Sequence, residues 1–536
     1  MTDSTFTIKQ SAKYFFSGTF LSRVSGMGRD ITMAYFFGID PTVAAFLLAF
    51  RFSHLMRRLF GEGALQSAFI PKFEEVRLKS EKEAHRFFIS LTLILSLTLL
   101  LVIGSSSLIL SLVLKAGFIS EKNREIVFLT LLMLPSLLFI CLYGLNASLL
   151  QCNRHFFISS AAPIVFNCIW ILSVFVLSYY HLQPEMFYLS LGIIFGCFFQ
   201  WVFTLPKIYS LIYQEKQFLF TEKLASHFAR IQPIFKPLFL GMVGVAATQI
   251  NTFFDSIFAR YAQLEGPAIL WFAMRLQQLP LALFGIAIAS AILPPLSRAA
   301  RSKQLERFTY FLRFGLVSAI AIMIPITAII FCMGDTVINL IYGRGGFNDF
   351  AILQTTLCFW GYAVGLLPMT AILILAPACY ANNHYLLPVK TSILNIIANT
   401  ILNFLFIFIF KWGACSVALA TSISSWVNFY LLYKNLHLSF LTNQNLFFIL
   451  KIFLISFFSA ATVFLVRFLF GGFVISEEFI IYWPKSFTDK VIHFIQQFGL
   501  FAFCGIVGAI FTNLKASDLF LYKTIKAESF LKNYLQ

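Results

Sequence analysis

Four charged residues lie inside the apolar stretch 45–71, AFLLAFRFSHLMRRLFGEGALQSAFIP. At 3.6 residues per turn Arg51, Arg58 and Glu62 share one helix face, and Arg57 lies about 100° around. A guanidinium is a planar fork of donors that holds phosphate or carboxylate through two parallel bonds. An arginine at the centre of a lipid-facing helix costs about 2.5 to 3.5 kcal/mol. The pattern therefore predicts an anion-binding face on a hydrated, protein-lined cavity; the alternative is that the arginines extend to the membrane surface or pair with Glu62.

A second charged stretch, FLSRVSGMGRD at 20–30, predicts another wall of such a cavity. Arg23 and Arg29 lie about 120° apart on an ideal helix, so they share a face only if Gly26 and Gly28 allow a bend. Asp30 adds a carboxylate that could act as a gate or counter-charge. The alternative for this stretch is an amphipathic helix at the membrane interface.

A third polar stretch, QINTFFDSIFAR at 249–260, carries Asn251 and Asp255 one helical turn apart. We expect Asp255 to be a structural counter-charge, with a cation ligand or a gate as the alternatives. No metalloprotease, nucleophile-elbow, Walker or dinucleotide-binding motif is present. The sequence therefore gives no catalytic motif, and no cofactor and no metal site are expected.

Composition predicts an all-α polytopic membrane protein. Of 536 residues, 59% are hydrophobic and 12% charged, about half the charged share of a soluble protein. The net charge of +17 comes from Lys and Arg between apolar segments, where such residues set topology, so no nucleic-acid partner is expected.

Apolar stretches of about twenty residues predict about fourteen transmembrane helices. They lie near 12–37, 43–70, 87–114, 126–150, 158–180, 186–208, 238–262, 268–294, 309–332, 350–379, 386–410, 413–433, 447–472 and 493–513. Basic clusters follow the second, sixth and eighth spans, so these loops and both termini are expected in the cytoplasm.

An internal repeat relates the two halves of the chain. A shift of 224 residues aligns Ala49 with Ala273, Arg51 with Arg275, Phe60 with Phe284, Gly61 with Gly285 and Pro71 with Pro295. At a similar offset, NRHF at 153–156 aligns with NNHY at 382–385. An even number of spans per repeat predicts two parallel six-helix lobes, 1–220 and 221–440, with Arg51 and Arg275 facing one central cavity. Residues 441–536 form two additional helices and a cytoplasmic tail; these helices are either a lipid-tail groove or lipid-facing padding.

The sequence also resembles a known family. The stretches 20–30, 44–71 and 269–297 (ILWFAMRLQQLPLALFGIAIASAILPPLS) are similar to the bacterial lipid II flippases called MurJ or MviN, of the multidrug/oligosaccharidyl-lipid/polysaccharide exporter superfamily. The resemblance implies a flippase of the bacterial cytoplasmic (inner) membrane. Its substrate would be lipid II, the undecaprenyl-pyrophosphate-linked disaccharide pentapeptide of peptidoglycan synthesis, carried to the outer leaflet by alternating access. The substrate-cavity residues that it implies are Arg23, Arg29, Arg57, Arg58 and Arg275, with Glu62 beside them.

One position departs from the family. Many relatives carry Asp where this chain has Ala44, and Asp40 lies one turn earlier with Pro41 between. A mechanism based on that carboxylate is therefore in question here. A coupling ion or the membrane potential is left open as the energy source. Alternative functions are a non-transporting scaffold or regulator of cell-wall synthesis and a cation-coupled drug exporter, although an exporter of cations calls for carboxylates rather than arginines.

Overall fold

The protein is seen in a computed structural model that describes residues 5–512, except 61–63, 118, 214–221, 383, 385, 437–442 and 470–483. Every long regular element in these residues is a helix. The helices are α1 (Thr5–Phe37), α2 (Pro41–Phe60), α3 (Ala64–Arg77), α4 (Glu81–Ala116), α5 (Glu121–Met133), α6 (Ser136–Cys152), α7 (Phe156–Tyr180), α8 (Glu185–Ile212), α9 (Leu224–Ile231), α10 (Phe235–Ala262), α11 (Gly266–Pro280), α12 (Ala287–Arg301), α13 (Leu305–Ile341), α14 (Asp349–Ala363), α15 (Leu366–Ala381), α16 (Leu386–Phe404), α17 (Cys415–Asn435), α18 (Asn443–Leu469) and α19 (Phe487–Phe511). Short π-helical turns at Leu281–Ile286 and Leu405–Ile409 follow α11 and α16.

Local sequence signals explain where α4 begins and ends. The Ser80 side chain accepts a hydrogen bond from the backbone N–H of Glu83, which satisfies a donor that has no partner within the helix. After Ala116, Gly117 takes the left-handed conformation at a φ of 71°, which costs glycine little and stops the helix.

The chain forms two compact units, Met1–Ile257 and Phe258–Gln536. In the first unit α1 packs along α7, α7 packs against α8, and α2 packs against α5. The approach of α1 to α7 is close at Gly18, where a Cβ atom would lie 2.0 Å from Oγ of Ser160. Only glycine permits this separation, so this residue sets how α1 and α7 meet.

In the second unit α13 is 37 residues long and packs against α12, α14, α15, α18 and α19. One apolar core in this unit joins α12, α13, α15 and α17 and includes Leu296, Leu312, Leu375 and Leu432. A smaller core joins α13, α18 and α19 through Met333, Val463 and Phe501.

The internal repeat is visible in how helices pack within each unit. In the first unit α2 packs against α5, and α6 packs against α8. In the second unit α11 packs against α14, and α15 packs against α17. A bend of 48° between α5 and α6 has its counterpart in a bend of 42° between α14 and α15. The shift of about 224 residues aligns the helices of the first unit with their counterparts in the second unit, so the packing supports the repeat.

Among the described residues, nine helices are long and apolar enough to cross a membrane, or up to eleven if each bent pair is one span. They correspond to all predicted spans except those near 12–37, 43–70 and 238–262. These three are helical in α1, α2 and α10, and each carries charged residues discussed above. The predicted span 43–70 corresponds to α2, up to Phe60, and to α3, from Ala64. Residues 61–63 lie outside the described residues, so one continuous helix over 43–70 stays a prediction. The total of fourteen spans stays a prediction.

Candidate substrate-binding arginines

Arg29 and Asp30 form a buried ion pair on α1. Their residues are 7% and 4% exposed, and Nη2 and Nε of Arg29 lie 2.8 and 3.1 Å from Oδ1 of Asp30. An unpaired charge at this depth would be costly, so each group requires the other.

Side chains of α7 orient this pair. Oδ1 of Asn167 accepts a hydrogen bond from Nη1 of Arg29 at 3.2 Å, and Nδ2 of Asn167 donates to Oγ of Ser25 at 2.9 Å. The Trp170 ring lies beneath the guanidinium, with Cζ of Arg29 4.6 Å from the ring centre, a cation–π contact. Sequence reasoning identified Arg29 and Asp30 but missed Asn167 and Trp170, because nothing in their local pattern distinguishes them from other residues of an apolar span.

Arg23 lies in a different environment from Arg29. It is exposed, although both residues belong to one helix that continues through Gly26 and Gly28. The structure therefore does not bring these two arginines together.

Arg51 is buried near the middle of α2 and bonds to α10. Its Nη1 donates to Oγ of Ser256 at 2.5 Å and to the carbonyl oxygen of Thr252 at 3.2 Å. On the same helix Asp255 is 1% exposed, and Nδ2 of Asn251 lies 3.5 Å from its Oδ2. The structure thus places Arg51 beside the polar stretch of α10 within the first unit.

The other charged residues near the end of α2 differ from Arg51. Arg58 is exposed, so the predicted cationic face has one buried arginine and one open arginine. The side chain of Arg57, and Glu62 altogether, lie outside the described residues.

Arg275 on α11 is half-buried, and its guanidinium covers the ring of Trp271 one helical turn earlier, with 4.3 Å from Cζ to the ring centre. Arg275 belongs to the second unit and Arg51 to the first. The prediction that they face one cavity therefore stays a prediction.

Ala44 is fully buried, whereas Asp40 is exposed at the turn before α2. Because their side chains occupy different environments, Asp40 does not take the place of a carboxylate at position 44.

A second buried ion pair was missed by sequence reasoning. Arg467 on α18 and Asp335 on α13 meet through two bonds, Nη1 to Oδ1 at 2.9 Å and Nη2 to Oδ2 at 2.5 Å. Nη1 of Arg467 also donates to the carbonyl oxygen of Cys332. The predicted span ended at residue 332 and thus excluded Asp335; two opposite charges in separate apolar helices were the available signal.

Further polar contacts join the same helices. Oγ1 of Thr336 donates to Oε1 of Gln497 on α19 at 3.0 Å, and Nζ of Lys490 donates to the carbonyl oxygen of Gly343. Charged and polar groups of the last two helices therefore contact α13 and the turn that follows it.

The arginines fall into two classes by their surroundings. Arg29, Arg51 and Arg467 are buried and bonded to neighbouring helices, whereas Arg23, Arg58 and Arg275 are exposed or half-buried. The guanidinium groups of the second class lie closer to the surface of the protein than those of the first class. In the described part of the chain, no group of three or more His, Cys, Asp or Glu side chains could hold a metal ion.

Comparisons with known proteins agree with this architecture. The family model described as "Lipid II flippase MurJ" matches residues 33–483. A "Probable lipid II flippase MurJ" of Chlamydia pneumoniae is 30% identical over 442 residues, which cover 80% of this chain and 77% of the relative.

Solved structures share the fold. "Lipid II flippase MurJ, inward closed conformation" superposes with a TM-score of 0.73 at 24% identity and covers 93% of this chain and 98% of that one. An inward-facing multidrug resistance transporter of the MATE family, in the MOP superfamily, has a TM-score of 0.64 at 14% identity over 77% of this chain and 94% of that one. The match over residues 33–483, together with the relative at 30% identity, shows that the chain belongs to the MurJ family of lipid II flippases.

Proposed function

We propose that this chain is a flippase that moves lipid II from the inner to the outer leaflet of the bacterial cytoplasmic membrane by alternating access. Membership of the MurJ family supports this proposal most directly. The arginines inside the predicted spans supply a physical reason. A pyrophosphate leaving water needs several charge-assisted donors, and guanidinium groups provide them in pairs.

Arg23, Arg58 and Arg275 are the proposed direct ligands of the pyrophosphate. Their exposed or half-buried guanidinium groups favour this role. Arg29 and Arg51 are proposed to line the same polar path. Asp30 and Asp255 are proposed as counter-charges or gate residues, and the neutral Asn251 as a gate residue beside Asp255. Arg57 and Glu62 belong to the proposed site by sequence alone.

We further propose the membrane arrangement that the basic clusters predict, with both termini in the cytoplasm. The functional lobes are taken as 1–220 and 221–440, and residues 441–536 as an addition that accommodates the polyprenyl tail. Lipid II enters and leaves chemically unchanged, since transport requires no bond to break.

Transport of labelled lipid II by liposomes that contain only this protein tests the proposal. We expect Arg58→Ala and Arg275→Ala each to abolish transport while the protein still folds and inserts, because each variant loses a forked donor for the pyrophosphate. Arg→Lys at either position should restore transport only in part, since an ammonium group cannot form the bidentate contact. Arg124→Ala is a matched control, because Arg124 is a mostly exposed arginine paired with Glu121.

Full transport by both alanine variants would show that these arginines are not ligands. No transport by the unaltered protein, with normal binding to other cell-wall proteins, would favour a scaffold or regulator instead. Repeating the assay with imposed ion gradients or a membrane potential would identify the energy source, and mass spectrometry of the recovered lipid would detect any chemical change.

A further inference from the structure

A cavity of about 420 Å³ opens where α1 passes the beginning of α7. Its lining residues are Ser17, Arg154, His155, Phe156, Phe157 and Ile158. The volume lies in the range of roughly 300 to 1,000 Å³ that is typical of small-molecule sites. Arg29 lies twelve residues beyond Ser17 along α1, about 18 Å at 1.5 Å per residue. The cavity is thus separate from the buried Arg29 network.

Positive charge is concentrated at the rim of this cavity. Arg154 is exposed and permanently charged, and its backbone is held in the left-handed region at a φ of 63°. Partial burial, and secondarily the positive charge of nearby Lys207 on α8, lower the pKa of His155. The imidazole of His155 is therefore mainly neutral at pH 7 and can donate one hydrogen bond. Positive charge near it comes from Arg154 and Lys207.

The position of the cavity along α7 places it at a membrane surface. Helix α7 has 25 residues and is apolar enough to span a membrane. At 1.5 Å per residue it is about 37 Å long, whereas the hydrocarbon core is about 30 Å thick. Its first turn therefore lies at the level of the lipid headgroups. Phe157, which is 44% exposed in that turn, is an aromatic residue of the kind enriched at this depth.

We propose that this cavity binds the phosphate of a net-anionic membrane phospholipid. Arg154 supplies a forked donor to the phosphate, and His155 and the Ser17 hydroxyl supply single donors. Phe157 packs against the apolar glycerol and acyl region below. The positive charge of Arg154, with that of Lys207 close enough to affect His155, disfavours choline and ethanolamine headgroups, which carry a positive charge of their own.

The second half of the internal repeat suggests which substitution of Arg154 to test. The repeat pairs Arg154 with Asn383, and asparagine also tolerates the left-handed backbone, so Arg154→Asn removes the charge with little strain. Binding of phosphatidylglycerol, phosphatidylcholine and inorganic phosphate to the purified full chain is measured by native mass spectrometry in detergent. Arg301→Asn is the matched control, because Arg301 is an exposed arginine at the end of α12 that does not line the cavity.

We expect the unaltered chain to bind phosphatidylglycerol in preference to phosphatidylcholine. Arg154→Asn should weaken phosphatidylglycerol binding about tenfold or more, the ratio for losing a hydrogen bond to a charged group. Arg301→Asn should leave the affinity within about twofold. Equal binding of phosphatidylcholine, or unchanged affinity in Arg154→Asn, would overturn the proposal. Complete competition by inorganic phosphate at matched concentration would identify a free-anion site and also overturn the assignment to a lipid.

A second measurement uses the unaltered chain and so does not depend on the folding of a variant. A phosphatidylglycerol analogue with a photoreactive group next to its phosphate is incorporated into vesicles that contain the protein. Labelling of peptides that include residues 154–158, reduced by excess phosphatidylglycerol but not by excess phosphatidylcholine, supports the site. Labelling confined to other helices rejects it.

Discussion

The buried pair of Arg467 and Asp335 allows a quantitative test of what attaches α18 to α13 within the second unit. The two side chains are 4% and 8% exposed and share two hydrogen bonds. Replacing Arg467 with Met leaves the Asp335 carboxylate buried without its cation. Removal of one partner of a buried pair typically costs about 3 to 5 kcal/mol. We expect a loss of that size in the free energy of unfolding of Arg467→Met, and a similar loss in Asp335→Leu.

The double variant distinguishes a lost pair from lost packing. Apolar replacements of both partners remove the two desolvation costs together, so a buried pair exchanged for apolar residues is often close to neutral. We therefore expect Arg467→Met with Asp335→Leu to lie within about 1 kcal/mol of the unaltered protein, whereas two additive losses would total about 6 to 10 kcal/mol.

Reversible unfolding of the purified protein in mixed micelles, followed by circular dichroism, measures these free energies. Arg124→Met is the control, because its pair with Glu121 is 57% and 86% exposed and such surface pairs contribute about 0 to 1 kcal/mol. A loss below about 1 kcal/mol in Arg467→Met, or a double variant as unstable as the sum of the single ones, would refute the reasoning.

Three further outcomes are expected. Asn167→Leu should reduce lipid II transport and lower stability by about 1.5 to 3 kcal/mol, because it removes an acceptor that orients the Arg29 guanidinium; unchanged transport and unfolding would contradict this role. Ser256→Ala should cost a similar amount through the lost bond to Arg51, and Ser256→Thr, which keeps the hydroxyl, should recover most of it in the same unfolding assay. Photoreactive groups on the polyprenyl tail of lipid II should label residues 447–472 or 498–512, whereas groups on the sugar should label the first, second, seventh and eighth spans; the reverse pattern in peptide mapping would reject that division.

Hydropathy was sufficient to predict an all-helical membrane protein, because the transfer of a twenty-residue segment into lipid depends mainly on its own composition. Eleven of the predicted spans have counterparts that are long and apolar enough, with each bent pair taken as one span. The repeat also followed from the sequence, since aligned residues such as Arg51 and Arg275 require no knowledge of contacts. The bends after α5 and α14 were not predicted from the sequence, because they depend on how neighbouring helices pack.

The environments of the charged residues were decided by tertiary structure. Arg23 and Arg29 lie on one helix six residues apart, yet one is exposed and the other is buried against Asn167, which is 138 residues away in the chain. Asp335 and Arg467 are 132 residues apart, and each alone is only a costly charge in an apolar helix. The sequence by itself therefore determined that charges enter the membrane and that they must be satisfied, because the cost of burying a charge is a property of the residue. Only the folded chain determined which partner satisfies each charge, because an ion pair depends on distances of about 3 Å between segments that local sequence does not relate.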